Sequence, residues 1–479
     1  MTVVQLPHAC DTCPEPRPKV IHVHRRNAPK NAPCPHCGKR GRRKGSPHER
    51  TVRSIAYKAV LILHVTTAEY RANCGCCTTF RTQIEGIEPK AHYDNKVREA
   101  VLDRILDDRM TVQQVQYSLQ RDFCLDLSTG FLYDCLDWKI RQVDGAAYRQ
   151  WTLAEFSGTV CIDEIHLGEH TLLLATDPLH DFPVAFALIS RNDQEHMGRF
   201  LRQLQEHGFL PEVVVTDGSS LYPALLAEIW PAAAHQLCVF HVLKDINKEV
   251  LDAVRRIRRQ MQRRGSRGRK RKPGRPKKGT ARQRRQRKLR DKAQFVYKHR
   301  YLIVKRPERL TAQQRKDLAQ MLEDAPSLRL VRAFVLEVYR LFERGQTEET
   351  AWRRHAVLVG NASYALVPEL AAAIQMLEPE KFTKMIAFLR SRVGQRVRTN
   401  NHVERMNRML RLYEKTRYKW RSARTKVRFV WLLVDRRWGE KARAWARQQG
   451  GGAGKAARGK PLSMPEADGP YEEEQRRAA

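Results

Sequence analysis

The stretch VCIDEIHLGEHTLLLATDPLHDFPVAFALIS, residues 160–190, carries three short runs of high β-propensity, at 160–167, 171–176 and 183–189. Val, Ile, Thr and Phe fit a pleated chain, so the three runs predict an antiparallel meander. Beyond it the pattern changes to a helix over 193–207, a strand at 212–216, a helix over 219–230, a strand at 235–240 and a long helix from near Val242. Three strands followed by this alternation predict a mixed sheet covered on both faces.

Three carboxylates stand at informative places in that pattern. Asp163 lies within the first strand, on the face of Cys161, Ile165 and Leu167 if alternation holds. An ionised carboxylate there is costly to bury unless it is paired with a cation. A slip of one residue makes Glu164 the competing candidate, and pairing of Asp163 with an arginine is the plainer alternative. Asp217 follows VVVT and precedes Gly218-Ser219-Ser220, at the tip of a strand before a helix, where sheets with parallel strands place their ligands. Capping that helix is its alternative role. Glu404 falls in TNNHVERMNRMLR, residues 399–411, on a helix that starts near Asn400 or Asn401 and shares a face with His402, Arg405 and Arg408. Either asparagine can cap that helix, and an i,i+4 pair of Glu404 with Arg408 is the solvated alternative.

The chain has 479 residues, with 89 Lys and Arg against 52 Asp and Glu, for a net charge of +37. At about 150 residues per domain this is roughly three units. A hydrophobic content of 42% excludes a wholly disordered basic protein. No run approaches the ~18 apolar residues of a membrane span. The opening MTVVQLPHACDTCPEPRPK has no apolar signal core, which predicts a cytoplasmic, nucleoid-associated protein in a reducing compartment.

A charge this large steers a protein toward phosphate backbones. Residues 261–290 hold 16 Lys and Arg and no acid. Within them RKPGRPKKG, residues 271–279, looks like an AT-hook: Pro273 and Pro276 keep the chain extended around Gly274-Arg275, so Arg275 can enter a minor groove while lysines meet phosphates. Arg269, Lys272, Arg275 and Lys277 are the candidate DNA contacts here. A second set is Arg405, Arg408, Lys415 and Trp420, where Arg411, Arg417, Lys419, Tyr413 and Tyr418 add cations and aromatics suited to backbone and base contact.

Eleven cysteines, an odd number, suit metal better than a full set of disulfides. Cys34-Pro-His-Cys37-Gly and Cys74-Gly-Cys76-Cys77 are knuckles, and pairing Cys34/Cys37 with Cys74/Cys77 completes a sulfur shell for Zn²⁺. Gly38 relaxes the turn behind Cys37 so that amides face sulfur. Cys10 and Cys13 either form a second site with His22 or His24 or stay free. Cys124, Cys135 and Cys161 read as small core residues. Three helices follow, over 95–107, from Thr111 to Arg121, and from Ser128 through Trp138. Thr111 and Ser128 act as caps, and the tight link at 123–127 predicts a helix-turn-helix. From the basic tract to about Leu389 the chain reads as helices only.

Taken together, these features resemble the DDE transposases with an RNase H-like catalytic core, nearest the ISL3 group of bacterial insertion-sequence enzymes. The likeness rests on CPHCG at 34–38, CGCC at 74–77, VCIDEIHL at 160–167, VVVTDGSSLY at 213–222 and TNNHVERMNRMLR. It implies that Asp163, Asp217 and Glu404 form the catalytic triad, holding two Mg²⁺ or Mn²⁺, with a helical insertion between the second and third acids. That interval is 187 residues here, against 54 between the first two. Cys238-Val239-Phe240-His241 is similar to the C-x2-H element of related groups, although ISL3 members often carry aspartate in place of the cysteine, and makes Cys238 and His241 auxiliary candidates.

The implied architecture is multidomain α+β. A zinc-binding unit (1–90) and a helix-turn-helix (91–145) precede an RNase H-like α/β core (155–250 and 391–445). The core is interrupted by the basic tract and an all-helical insertion (251–390) and followed by a disordered tail (446–479). The implied function is cleavage and joining of double-stranded DNA at the inverted repeats of an insertion sequence, by a homodimer or larger assembly. An inactive DNA-binding descendant and a metal-dependent nuclease are the alternatives.

Overall fold

A computed structural model of the chain describes residues 18–266, 281–390, 397–416 and 422–449. Expectations for Cys10, Cys13, Arg269, Lys272, Arg275, Lys277, Arg417, Tyr418, Lys419 and Trp420 lie outside the described residues. The described residues divide into two compact units, 18–145 with 410–449 and 146–409.

The first unit opens with a five-stranded sheet: β1 (Lys19–Asn27), β2 (Asn31–Pro33), β3 (Arg40–Ala56), β4 (Ala59–Arg71) and β5 (Thr79–Arg81). β3 and β4 form a long antiparallel hairpin, and β1 lies parallel on the other edge of β4. The hairpin register breaks between Lys44 and His48. Pro47 in that gap has no N–H for the ladder, and Gly45 takes a φ of +75° that a bulge requires. One sheet face buries Val52, Leu63, Val65 and Ile87 together.

Helix α1 (Asn95–Leu102) starts on Asp94, whose carboxylate accepts the Val97 N–H at 3.1 Å. It runs into a π turn over Asp103–Asp107. α2 (Val112–Phe123) begins with a capping box between Thr111 and Gln114, and α3 (Thr129–Ile140) with Ser128 accepting from Phe131. The three helices and both caps match the sequence reading. α4 (Gly145–Ala154) leads into the second unit.

The second unit holds the mixed sheet: β6 (Thr159–Leu167), β7 (His170–Asp177), β8 (Phe182–Ile189), β9 (Val213–Thr216) and β10 (Ala234–Leu237), in the order β10-β9-β6-β7-β8. β6, β7 and β8 are the antiparallel meander, while β9 and β10 are parallel to β6 and to each other. α5 (Gln194–Glu206) and α6 (Tyr222–Ile229) fill the connections. β10 ends at Leu237, three residues earlier than expected. Cys238 leaves the strand and α7 (Val239–Ser266) starts at once, so Phe240 and His241 sit on a helix.

The insertion is helical, with α8 (Ala281–Lys298), α9 (Ala312–Asp324), α10 (Leu328–Leu341), α11 (Glu348–Val359), α12 (Ala362–Ala365), α13 (Pro368–Gln375) and α14 (Pro379–Met385). Its core runs from Ile246 and Val250 of α7 through Phe334, Val338 and Leu358 to Phe382 and Phe388. Leu237 and Val239 belong to that same core, so the insertion packs directly onto the last strand. Gln236 of β10 is fully buried and fixes the junction. Its amide donates to the Met385 carbonyl at 2.9 Å and its oxygen accepts the Phe388 N–H at 2.6 Å.

α15 (Asn401–Thr416) spans the division between the units. α16 (Ala423–Val434), a second π turn at Asp435–Gly439 and α17 (Glu440–Gln449) complete the first unit. Residues 410–449 therefore group with the N-terminal part of the chain. Arg428 bonds Asp137 at 2.7 Å, and Arg436 bonds Asp107 at 3.0 Å and also Asp103. The tail expected from residue 446 begins within α17, which is helical to Gln449.

Candidate catalytic centre and metal sites

Asp163 sits mid-way along β6, Asp217 one residue past β9 and Glu404 in the first turn of α15. Backbone and side-chain bonds stitch the three segments together. The Cys238 N–H donates to the Thr216 carbonyl at 2.8 Å, tying the end of β10 to the residue before Asp217. The Asn400 N–H donates to the Cys238 sulfur at 3.1 Å, and the Asn400 side-chain amide donates to the Ile162 carbonyl at 2.8 Å, next to Asp163. Val239 N–H bonds the Arg398 carbonyl at 3.0 Å. Asn400 is fully buried, and its carbonyl takes the first helical bond, from the Glu404 N–H at 3.1 Å. It thus starts the helix through its backbone and spends its side chain on the strand, a tether rather than the side-chain cap expected.

Among the described residues Asp163 has no arginine partner; the Asn407 amide donates to its Oδ2 at 2.9 Å. Asn407 lies almost one turn beyond Glu404, so a single helix carries the third acid and steadies the first. Burial, and then the charges of Asp217, Glu164 and Glu404, push the Asp163 carboxyl up to about 7 against the pull of the Glu164 backbone N–H. Asp217 accepts the Ser219 N–H at 2.9 Å in a tight turn, while α6 starts only at Tyr222, so it does not cap that helix. Glu404 faces His241 of α7, with Oε1 3.4 Å from Nε2. Glu164, the competing candidate, accepts from the Tyr222 hydroxyl and from the Asn192 amide at 3.2 Å.

The triad oxygens do not form a set whose ligand atoms all lie within 4.8 Å of one another among the described residues. Two divalent ions about 3.5–4 Å apart, each with oxygens at about 2.1 Å, call for a wider spacing than one ion does. A cluster of carboxylates in which burial first, and then acidic neighbours, raises the pKa of one member fits such a pair of cations. The clustering has a cost without metal. In the unfolded chain Asp163 ionises near 3.8, and folded near 7. Below 3.8 it is neutral in both states; as pH rises toward 7 the unfolded state takes the charge first, and stability is lost until the folded acid ionises as well. At pH 8 Asp163→Asn is therefore expected to raise the Tm of metal-free protein by about 3 °C, near 2 kcal/mol after discounting for partial solvent access. Thermal scans in chelator at pH 8 and pH 4 check this; an unchanged or lower Tm at pH 8 would count against the clustered charge.

Cys238 is buried, its thiol pushed up by burial, and serves as the acceptor for the Asn400 N–H. His241 reaches the triad through Glu404. On α15, Arg405, Arg408, Arg411 and Lys415 are exposed, and the last three follow Glu404 at helical spacing on its own side. Tyr413, expected to stack on bases, is buried instead, and its hydroxyl donates to the Leu106 carbonyl at the open end of the π turn. His402 is also inward, 2.7 Å from Asp181 of the β7–β8 turn, so it shares no outer face with Arg405 and Arg408. Asn407 and the tether role of Asn400 are not legible in the sequence, because neither the run 405–407 after Glu404 nor the run 399–401 before it carries a separate signal.

In the first unit the sulfurs of Cys34, Cys37, Cys74 and Cys76 all lie within 4.8 Å of one another. The expected partner was Cys77. The turn at 75–76 turns Cys74 and Cys76 to the same centre, and the Cys77 sulfur stands beside Cys34 at 3.7 Å. Amides of His36 and Cys37 face the Cys34 sulfur and lower its pKa to about 6, as the positive φ of Gly38 was expected to permit. Four thiols in this geometry are compatible with Zn²⁺.

The family model of the ISL3 DDE transposases, described as a transposase, matches residues 160–425, more than half of the chain and all three acids. This chain is an ISL3-family transposase. A solved structure, the Drosophila P element transposase strand transfer complex, matches with 12% identity over 74% of this transposase and 93% of that chain, at a TM-score of 0.31. A likeness so slight carries nothing about fold or mechanism. No curated protein matches. Among the described residues of the transposase no helix is long and apolar enough to cross a membrane.

Proposed function

We propose that Asp163, Asp217 and Glu404 are the metal-binding acids of a DNA strand-cleavage and joining centre on an RNase H-like core. The observation that carries this is the stitching of their three segments through Cys238 and Asn400, which brings acids far apart in sequence into mutual electrostatic contact. Two Mg²⁺ or Mn²⁺ held there would activate a water or 3′-hydroxyl and stabilise the leaving 3′-oxygen of an in-line displacement at phosphorus. The residues themselves hold and align. Asn407 fixes the Asp163 carboxylate, His241 turns Glu404, and the Ser219 amide holds Asp217. Arg405, Arg408 and Lys415 supply cations along the same helix for non-bridging phosphate oxygens.

The terminal repeats of the element are read by the first unit. α2 and α3 act as a helix-turn-helix, and Arg428 neutralises Asp137 on α3, removing one of the two acids that oppose its approach to DNA. Arg269, Lys272, Arg275 and Lys277 add sequence-tolerant minor-groove and phosphate contacts, and Trp420 a base contact. Two DNA ends held together require at least two copies of the chain. The test is direct: purified protein, DNA carrying the repeats that flank its gene, and Mg²⁺. Site-specific nicks at the repeat boundary that stop in chelator are expected, and protein that binds the repeats but leaves them uncut in Mg²⁺ and in Mn²⁺ would overturn the reading.

A further inference from the structure

The N-terminal sheet has two faces. One buries Val52, Leu63 and Val65; the other is open, and on it the registers collect four residues with metal-ligating side chains. β1 parallel to β4 sets His24 directly beside His64, with His22 beside Ile62, two residues along on the same face. β3 antiparallel to β4 sets Glu49 beside Thr66, again two residues along from His64. The side chains close on one another. His24 and His64 stack with ring centroids 4.5 Å apart, His64 Nδ1 lies 3.3 Å from Glu49 Oε1, and one ligand atom from each of His24, Glu49 and His64 falls within 4.8 Å of the others.

We propose that His24, Glu49 and His64 form a second transition-metal site, distinct from the four cysteines and independent of the catalytic reading. Two imidazoles and a carboxylate suit Zn²⁺, Co²⁺ or Ni²⁺, and three protein ligands leave a position open for water or an incoming group. The fourth residue completes the arrangement in the usual way for a ligating histidine. His22 Nδ1 is 2.9 Å from His64 Nε2, so the ring nitrogen of His64 that faces away from Glu49 has a partner that fixes its tautomer and tilt. The site is accessible, with His24 and Glu49 exposed and His64 half-buried.

Equilibrium dialysis of the full chain against buffered Zn²⁺, with excess Mg²⁺ to occupy hard oxygen sites, reads the count by elemental analysis. His24→Ala and Glu49→Gln should each bind one zinc fewer per chain than wild type; both positions are exposed, so neither change removes buried packing. Co²⁺ separates this site from the sulfur one. Cys34→Ser should lose the intense thiolate-to-cobalt absorption while keeping the cobalt that His24→Ala loses, and His24→Ala should keep that absorption. An equal metal count in wild type, His24→Ala and Glu49→Gln would overturn the second site, whatever the cysteine variant does.

Discussion

Asp217→Asn is expected to lower DNA cleavage at least about 10³-fold while leaving binding of the element's ends unchanged. The substitution keeps the size of the side chain and an oxygen to accept the Ser219 N–H, so the turn after β9 survives. What it removes is charge. A neutral amide is a poor ligand for a hard divalent ion, and metal-supplied charge stabilisation is worth several kcal/mol, each 1.4 kcal/mol being about tenfold in rate. Glu404→Gln should behave alike, for the same reason and because His241 then faces an amide. Gel-shift and cleavage assays on the same preparations separate the effects. Full cleavage by Asp217→Asn would take that residue out of the chemistry; loss of end binding together with cleavage would show that the substitution damages folding or DNA binding as well.

The second large effect lies at the other end of the chain. Cys34→Ser should lose one tightly held zinc and the ordered structure around β2 and β5. Structural zinc contributes about 10–16 kcal/mol to small zinc domains, comparable to or above the roughly 5–15 kcal/mol by which a whole domain is stable. The sheet there has little else to hold it. Its apolar cluster under β2 is small, Ala28, Ala32, Ala68 and Tyr70 with Phe80, and Gly41 is needed because a Cβ would stand 2.6 Å from the Phe80 ring. Proteolysis near residues 31–41 and 72–81 should speed up in the variant, while the second unit, with its separate core, resists as before. Unchanged zinc content in Cys34→Ser would remove the sulfur site.

The meander, the mixed sheet and the caps at Thr111 and Ser128 were legible because alternation, β-branching and capping act over a few residues. The places of the three acids in the fold, mid-strand for Asp163, past a strand tip for Asp217 and in a first helical turn for Glu404, were legible for a related reason: strand runs and helix starts are local events. What was hidden depends on partners far away in sequence. Nothing near Tyr413 says that the Leu106 carbonyl waits for its hydroxyl, and nothing near Asn400 says that Ile162 will take its amide. The same holds for Gln236, whose neighbours read as an ordinary strand but whose two hydrogen bonds reach Met385 and Phe388. In the cysteine cluster, counting knuckles gave four ligands but not the choice between Cys76 and Cys77, which depends on the fine turn of residues 75–76.

The clasp of Gln236 on residues 385–388 has a consequence in time. The ribosome delivers Asp163 and Asp217 long before Glu404, and Gln236, Leu237 and Val239 stay uncovered until the helices that follow them have condensed there. Contacts of such long sequence separation form late in folding. A nascent or truncated chain that stops before residue 404 therefore lacks Glu404, the Asn400 tether and residues 410–449, which complete the first unit. Under the proposed reading, cutting waits until translation has passed the third acid, so an interrupted synthesis is not a source of stray breaks.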